Sequence, residues 1–242
     1  MNSMRLALSV VLGVLACAAS GGVEDLVLVE DGKSTACIVV SAKAGEWEKR
    51  AAADLSRAIE LMTGAKVPAA EAPGAGPAIY VGAAALEASP ALKDALGKVA
   101  KKNPVLRADA IALRREGGRL YAAGTNDESH YYAVAELLRR WGCRWYLPTE
   151  FGECIPEKAR LAVGELDYAY APPFEVRKYW ISWNGDTSGA AEFQRRNFFN
   201  NEHVPNGHAL DQYVKELIPK GKSAFNVPIS EQSTVDHVAA KV

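Results

Sequence analysis

Between residues 23 and 168 the chain alternates short apolar runs with longer segments in which apolar residues recur at helical spacing. Short apolar runs bounded by Gly, Pro or Asp predict strands, whereas helical spacing predicts helices that bury one face. The predicted strands are 26–29, 36–40, 78–82, 110–115 and 119–124, and the predicted helices are 46–62, 90–101 and 127–141.

The residues between these segments predict how the segments connect. Asp31-Gly32-Lys33 predicts a hairpin or two neighbouring strands, and Glu116-Gly117-Gly118 predicts a tight turn between two strands. Thr125 or Asn126 can cap the helix that follows. Because each helix has only one apolar stripe to bury, the alternation predicts an α/β domain over residues 23–168, an open sheet with amphipathic helices packed on it.

Composition and charge add two constraints. With 242 residues, of which 49% are hydrophobic and 24% are charged, the chain has the composition of a core-forming globular protein. Its formal net charge of −1 argues against nucleic acid as a partner, because binding to phosphates needs a basic face.

The first twenty residues predict export. One positive charge precedes an apolar run, and Ala18, Ala19 and Ser20 supply the small residues of a signal-peptide cleavage region. The run is too short to span a bilayer comfortably, so a secreted or periplasmic chain without a membrane span is expected. Residues 14–17 also resemble a lipoprotein signal, so a lipid anchor on Cys17 is a weaker alternative.

The spacing of the cysteine and histidine residues indicates few functional sites. Cys143 and Cys154 are close enough in sequence to form a disulfide, and buried free thiols are the alternative. His203 and His208 have no carboxylate at metal-ligand spacing, so no metal site is predicted. The sequence has no P-loop and no complete dinucleotide fingerprint, so no cofactor is predicted either.

Three stretches in order resemble a known pattern: ELMTGAKVP (60–68), IYVG (79–82) and the long stretch 122–156, which contains AAGTNDESHYYAVAELLRRWG. They resemble the N-terminal domain that precedes the catalytic barrel in family 67 α-glucuronidases, in family 20 β-hexosaminidases and in similarly organised secreted bacterial proteins. The resemblance covers roughly residues 25–200. It implies an N-terminal α/β domain over 23–168.

The same resemblance implies that residues 169–242 hold a linker and the start of a TIM-barrel-type catalytic domain. The stretch 168–173, which ends in Pro172-Pro173, predicts a stiff crossing between domains, since paired prolines cannot join a central strand. The first barrel strand is expected at 174–177. A complete barrel takes about 250 residues, so the barrel is expected to be incomplete and the chain truncated.

Candidate carbohydrate-binding residues follow from this placement. Arg177 would lie at the sugar site, where a guanidinium can bond vicinal hydroxyls or a uronate carboxylate; a salt bridge at the domain interface is the alternative. Trp180, Trp183 and Asn184 could line the same mouth, and the resemblance places His208 there as a polar contact. Strand-end aromatic residues can equally belong to the core.

Two further groups of residues are expected to have structural roles. Trp141, Trp145 and Tyr146 are expected to pack the end of the helix over 127–141, with sugar stacking as the alternative. A helix is expected from Ala190 to Asn201, with its arginines facing outward. The nearby carboxylates are expected to be solvated surface charges, namely Asp186, Glu192, Glu202 and Asp211.

No catalytic residue is predicted. Glycoside hydrolysis normally needs two carboxyl groups facing each other across the scissile bond, and in the resembling families these lie on later barrel strands. The sequence therefore predicts an accessory domain of a secreted glycoside hydrolase-type protein, inactive as this chain, with carbohydrate and the missing barrel as partners. The alternatives are a stand-alone carbohydrate-binding or surface-interaction module and a structural fragment without a ligand.

Overall fold

The computed structural model describes residues 24–178, 189–202 and 210–241. In chain order the described strands are β1 Leu26–Glu30, β2 Cys37–Val39, β3 Ala69–Ala70, β4 Ala78–Val81, β5 Ile111–Glu116, β6 Arg119–Gly124, β7 Arg144–Trp145, β8 Glu153–Cys154, β9 Arg160–Val163 and β10 Asp167–Tyr170. The described helices are α1 Glu46–Thr63, α2 Gly82–Ala88, α3 Pro90–Val99, α4 Asp127–Arg140, α5 Ala190–Arg196, α6 Leu210–Val214 and α7 Gln232–Ala239. Not one of them has the length and apolarity that a bilayer crossing requires.

Six strands form one mixed sheet in the order β10-β5-β6-β4-β2-β3. Strands β2, β3, β4 and β6 run parallel, whereas β5 lies antiparallel to both β6 and β10. The hairpin predicted around 116–118 is confirmed, with Leu113 opposite Ala122. The predicted mixed α/β open sheet with packed helices is therefore confirmed.

The first two strands do not pair as predicted. Strand β1 pairs antiparallel with β9, with Leu26 opposite Val163, and it lies outside the six-stranded sheet. The reason is that β2 is buried along its whole length and has β3 on one edge and β4 on the other. Neither edge of β2 is open to β1.

Helices cover both faces of the sheet. Side chains alternate along a strand, so neighbouring residues face opposite layers. Ile79 and Val81 pack in the larger core with α1 and α4, whereas Ala78 and Tyr80 pack with α2 and α3. The predicted helices α1, α3 and α4 are confirmed within a few residues; α2, with seven residues, is too short to show a clear period.

The prediction of a crossing over 168–173 is wrong for its first half, because residues 168–170 belong to strand β10. Strand β10 pairs with β5, with Tyr170 opposite Ile111, and it occupies the edge of the sheet. Its ladder ends before the prolines, which lack the N–H group that a longer ladder would need.

Residues 171–178, 189–202 and 210–241 contain no strand, so the barrel strand expected at 174–177 is not formed. Instead, the Glu175 carboxylate accepts the N–H groups of Val105 (3.0 Å) and Leu106 (2.6 Å) and pairs with Lys101. Side-chain bonds, and not a ladder, therefore hold this segment.

The last described helices are short. Helix α5 ends at Arg196, before the predicted end at 201, and Phe198 just after it has a positive φ of 63°. Farther on, Val214, Ala224 and Val227 form a small apolar cluster of their own.

Gly124 fixes the tight connection from β6 into α4. Its N–H group donates to Nδ1 of His130 at 2.9 Å, and a Cβ at this position would overlap the backbone of Ser129. Burial lowers the pKa of His130 to about 4, so the ring accepts this bond as a neutral imidazole at pH 7.

Gly124→Ala will therefore destabilise the fold by about 1–3 kcal/mol, because the extra methyl forces the strand and helix apart. Urea unfolding of the purified chain measures this loss. Gly118→Ala is the matched control, since a Cβ at residue 118 meets open space. Equal midpoints for the two variants would contradict the prediction.

Candidate functional site

The carboxyl ends of β2, β4 and β6 meet at one edge of the sheet, which is where ligands bind in open α/β folds. Here the N–H groups of Trp47 and Glu48 donate to the Asp127 carboxylate at 3.1 and 3.0 Å. The N–H group of Ala83, at the start of α2, donates to the Glu48 carboxylate at 3.1 Å. Helix N-termini that could hold an anionic ligand therefore hold carboxylates of the chain itself.

Two glycines make room for these carboxylates. A Cβ on Gly45 would overlap the carboxylate of Asp127, and a Cβ on Gly82 would overlap that of Glu48. Burial of Glu48 raises the pKa of its carboxyl group, and the nearby Asp127 adds to the rise against the opposing bond from Ala83. At this edge of the sheet, the side chains of Asp127 and Glu48 thus fill the space beside the helix N-termini.

A second group of polar residues surrounds Asp109, whose side chain is only 2% exposed. One of its oxygens accepts bonds from Arg107 (2.8 Å) and Asn126 (2.7 Å), and the other accepts a bond from Arg177 (2.6 Å). Burial by itself would raise the pKa of Asp109, but the bonds from Asn126 and Arg177 and the charge of Arg107 outweigh it and lower the pKa. Asp109 is therefore a buried anion that its partners neutralise.

Arg177, the leading sugar-binding candidate, is bound within the chain. Besides the bond to Asp109, its Nε donates to the carbonyl of Phe198 at 2.6 Å and its Nη1 to the carbonyl of Phe174 at 2.8 Å. Its guanidinium lies 5.5 Å from the ring centre of Tyr132. The structure thus has the interface salt bridge that was the alternative interpretation.

A third group of polar residues surrounds Asp54 in the middle of α1. Its carboxylate accepts the hydroxyl of Tyr131 at 2.8 Å and two bonds from Arg196 at 2.8 and 2.5 Å. Arg196 also pairs with Glu153 at 3.3 Å, and Glu153 in turn binds Arg57. The surrounding carboxylates hold the pKa of the Arg196 guanidinium above its ordinary value despite burial.

Arg195 corrects the prediction that the arginines of α5 face outward. It is 1% exposed, pairs with Glu128 and lies 4.3 Å from the ring centre of Trp47. Helix α5 buries Arg195 together with the apolar Phe193, because α1 and α4 present the carboxylates of Asp54 and Glu128 to its arginines. Glu192 and Glu202, predicted as solvated charges, also pair, with Arg50 (2.8 Å) and Arg107 (3.4 Å).

Together these contacts form one interface between the α/β domain and the described residues 174–178 and 189–202, called here the docking interface. Three arginines of the segment pair with domain carboxylates. The Tyr132 hydroxyl also donates to the carbonyl of Phe199 at 3.0 Å, and the Phe198 ring stacks on Tyr132 at 5.4 Å. The positive φ of Phe198 belongs to this contact, since its ring meets Tyr132 while its carbonyl meets Arg177.

Sequence reasoning missed the domain half of this interface. Asp54 follows Ala51 by three residues and precedes Ala58 by four, so it lies on the apolar stripe of α1. A carboxylate at such a position indicates a buried partner, and that pattern could have revealed it. Asp109 lies in a loop without a periodic pattern, and nothing local marks it.

Several predicted residues lie outside the described part of the chain. These are the cleavage-region residues Ala18, Ala19 and Ser20, the lipid-anchor candidate Cys17, and the carbohydrate-binding candidates Trp180, Trp183, Asn184 and His208. Within the described ranges, no group of three His, Cys, Asp or Glu side chains could hold a metal ion.

Cys143 and Cys154 are free thiols, the first buried and the second exposed. Cys154 lies opposite Arg144 in the β7–β8 ladder, so Cys143, one residue earlier, points to the other face of the ribbon. Burial raises the pKa of the Cys143 thiol to about 11. Cys143 thus agrees with the alternative of a buried free thiol, whereas Cys154 is free but exposed.

The aromatic residues that follow α4 divide into two groups. Trp141 and Trp145 are buried, which confirms their packing role. Tyr146 is 67% exposed and does not join them.

Comparisons with known proteins give distant structural similarity only. No protein-family model matches the chain, and no curated protein sequence matches it. One similar structure is a family GH115 4-O-methyl-α-glucuronidase, BtGH115A, described as specific for decorated arabinogalactans. It has 18% identity and a TM-score of 0.49, and the match covers 73% of this chain and 25% of that one.

Another similar structure is a GH20 exo-β-N-acetylglucosaminidase from Vibrio harveyi in complex with N-acetylglucosamine. It has 12% identity and a TM-score of 0.34, and the match covers 64% of this chain and 18% of that one. This chain therefore spans a quarter or less of either structure. Neither is a family 67 enzyme, so that part of the resemblance stays a prediction.

Glu48→Gln will stabilise the chain at pH 7 and above. A raised folded-state pKa means that stability is fully present below the ordinary pKa of Glu and is lost as pH rises through the folded-state value. The Gln side chain does not ionise, so the variant does not lose stability in this way. Urea unfolding at several pH values will show that the difference in unfolding free energy, variant over parent, grows from acid to neutral pH. Glu46→Gln, an exposed carboxylate in the same helical turn, is the control. An advantage that grows toward acid pH would contradict the prediction.

Asp109→Ala will loosen residues 174–202 and lower stability by about 3 kcal/mol, because it leaves two arginines without their buried partner. Hydrogen exchange read by peptide mass will show faster exchange in 174–178 and 189–202. Asp167→Ala removes an exposed partner of Arg114 and will cost under about 1 kcal/mol. Unchanged exchange in the Asp109 variant would refute the docking interface.

Proposed function

We propose that this chain is an exported accessory domain of a glycoside hydrolase-type protein, and that it holds the beginning of the following domain in one position. The docking interface is the observation that carries the proposal. The glycan component comes from the sequence resemblance over 60–68, 79–82 and 122–156. The export component comes from the first twenty residues.

The interface supports a positioning role because its charges are buried on both sides. Taking charges out of water costs about as much as their pairing restores, so buried ion pairs favour one arrangement more than they add net stability. The arginines of the segment meet carboxylates on α1, on α4 and in the loop before β5. Only one placement of the segment pairs all of them.

The state of the buried carboxylates supports a chain without catalysis of its own. Glycoside hydrolysis normally needs two carboxyl groups on either side of a sugar. Among the described residues the buried carboxylates are Glu48, Asp54 and Asp109. Each is bound to a helix N-terminus or to arginines, so its bonding capacity is used within the chain.

The proposal is tested by producing the chain with its first twenty residues in a bacterial host. We expect it outside the cytoplasm, with a mass that indicates cleavage close to Ser20. We expect no turnover of aryl glucuronides or aryl N-acetylhexosaminides above the blank, because each buried carboxylate among the described residues is bound within the chain. An active glycosidase in the same buffer is the control. Robust turnover, or an unprocessed cytoplasmic chain, would show the corresponding part to be wrong.

A further inference from the structure

A cleft of about 400 Å³ opens on the solvent side of the Asp54 group, and Arg57, Glu153 and Arg196 of that group form part of its wall. It lies between α1, residues 147–153 and the beginning of α5. The volume falls within the range of small-molecule sites. Because Phe193 and Arg196 of α5 line the cleft, the inference rests on the docked position of α5 in the proposed function.

The walls of the cleft carry donors and acceptors side by side. Arg57 binds Glu153 on its inner side, but its side chain remains 45% exposed. Thr149 and Glu150 line the same cleft, and Glu150 is exposed. Arginine can only donate, a carboxylate can only accept, and a hydroxyl can do both.

The remaining lining is apolar. Leu147, Pro148 and Phe193 contribute hydrocarbon surface to the same cleft. A ligand that fits has a hydrocarbon face and several closely spaced hydroxyl groups, each of which can donate and accept.

Two exposed aromatic residues, Tyr146 and Phe151, are the chain neighbours of the lining residues Leu147 and Glu150 and are called here the aromatic rim. Tyr146 is 67% exposed and Phe151 is 91% exposed. The N–H group of Tyr146 donates to the carbonyl of Gly152 at 2.8 Å, and a Cβ on Gly152 would overlap Leu147. A tight turn thus holds both rings in solvent. Exposed apolar side chains that lie close together in this way mark binding surfaces.

Charge narrows the class of ligand. Arg57 and Arg196 are balanced by Glu153 and Glu150 along the same walls, so the cleft offers no excess positive charge to an anion. A neutral pyranose has the required hydrocarbon face and ring of hydroxyls. We infer that this cleft and its aromatic rim bind a neutral pyranose ring of a glycan chain.

The test titrates the full chain with xylohexaose, cellohexaose and chitohexaose, and with trigalacturonic acid as the charged probe. Calorimetry and protein NMR are the readouts, up to about 10 mM, since a Kd of about 1 mM corresponds to about 4 kcal/mol. At least one neutral probe should bind saturably and more tightly than the uronate. Absence of saturable binding by every neutral probe overturns the inference, and so does preference for the uronate.

Two variants locate the site. Phe151→Ala and Glu150→Gln should each weaken the bound probe by about tenfold, which corresponds to about 1.4 kcal/mol. Phe225→Ala and Glu87→Gln are the matched controls, one exposed aromatic in the C-terminal part and one exposed carboxylate on the opposite face of the sheet. Equal weakening by controls and site variants overturns the inference.

A protein contact at the rim is the competing outcome. If Phe151→Ala changes the sedimentation coefficient of the chain and leaves glycan affinity unchanged, the rim is a self-association surface and the inference is wrong. The two proposals can fail separately, because Glu150 and Phe151 take no part in the docking contacts named above and glycan binding is measured on the chain with its docking interface intact.

Discussion

A carboxylate taken out of water has to be matched by donors on every side, and Asp109 imposes this requirement on a large part of the molecule. Arg107 and Asn126 come from the α/β domain, whereas Arg177 comes from the segment after the prolines. If the segment leaves, the anion keeps only part of its partners. The position of the segment is therefore tied to the solvation of one buried charge.

Helix α4 connects the docking interface to the core of the fold. Tyr131 and Tyr132 are fully buried in the core, yet their hydroxyls reach Asp54 and the carbonyl of Phe199. Glu128, one turn earlier, pairs with Arg107 and with Arg195. Helix α4 therefore packs against the sheet and also binds the segment after the prolines. Tyr131 and Tyr132 take part in both contacts.

The sequence could predict the architecture further than the site. Apolar spacing located α1, α4 and the β5–β6 hairpin, because each is defined by residues close in the chain. It could not find that β1 pairs with β9, since the partner lies far along the chain and no pattern records it. Arg195 escaped because periodicity marks the apolar face of a helix and does not show when the polar face is buried. Arg177 was identified as an interface candidate only beside a sugar-binding alternative.

One small feature of the sheet edge bears on the order in which the chain becomes structured. Helix α1 begins after Gly45, which has no side chain to cap it, and its first N–H groups are satisfied by Asp127, about eighty residues later. The start of this helix is therefore complete only when β6 and α4 have formed and delivered that carboxylate. Because Asp127 of α4 caps α1, a helix near the start of the chain depends on one that lies about eighty residues later. The α/β domain should therefore acquire its structure in a single cooperative step.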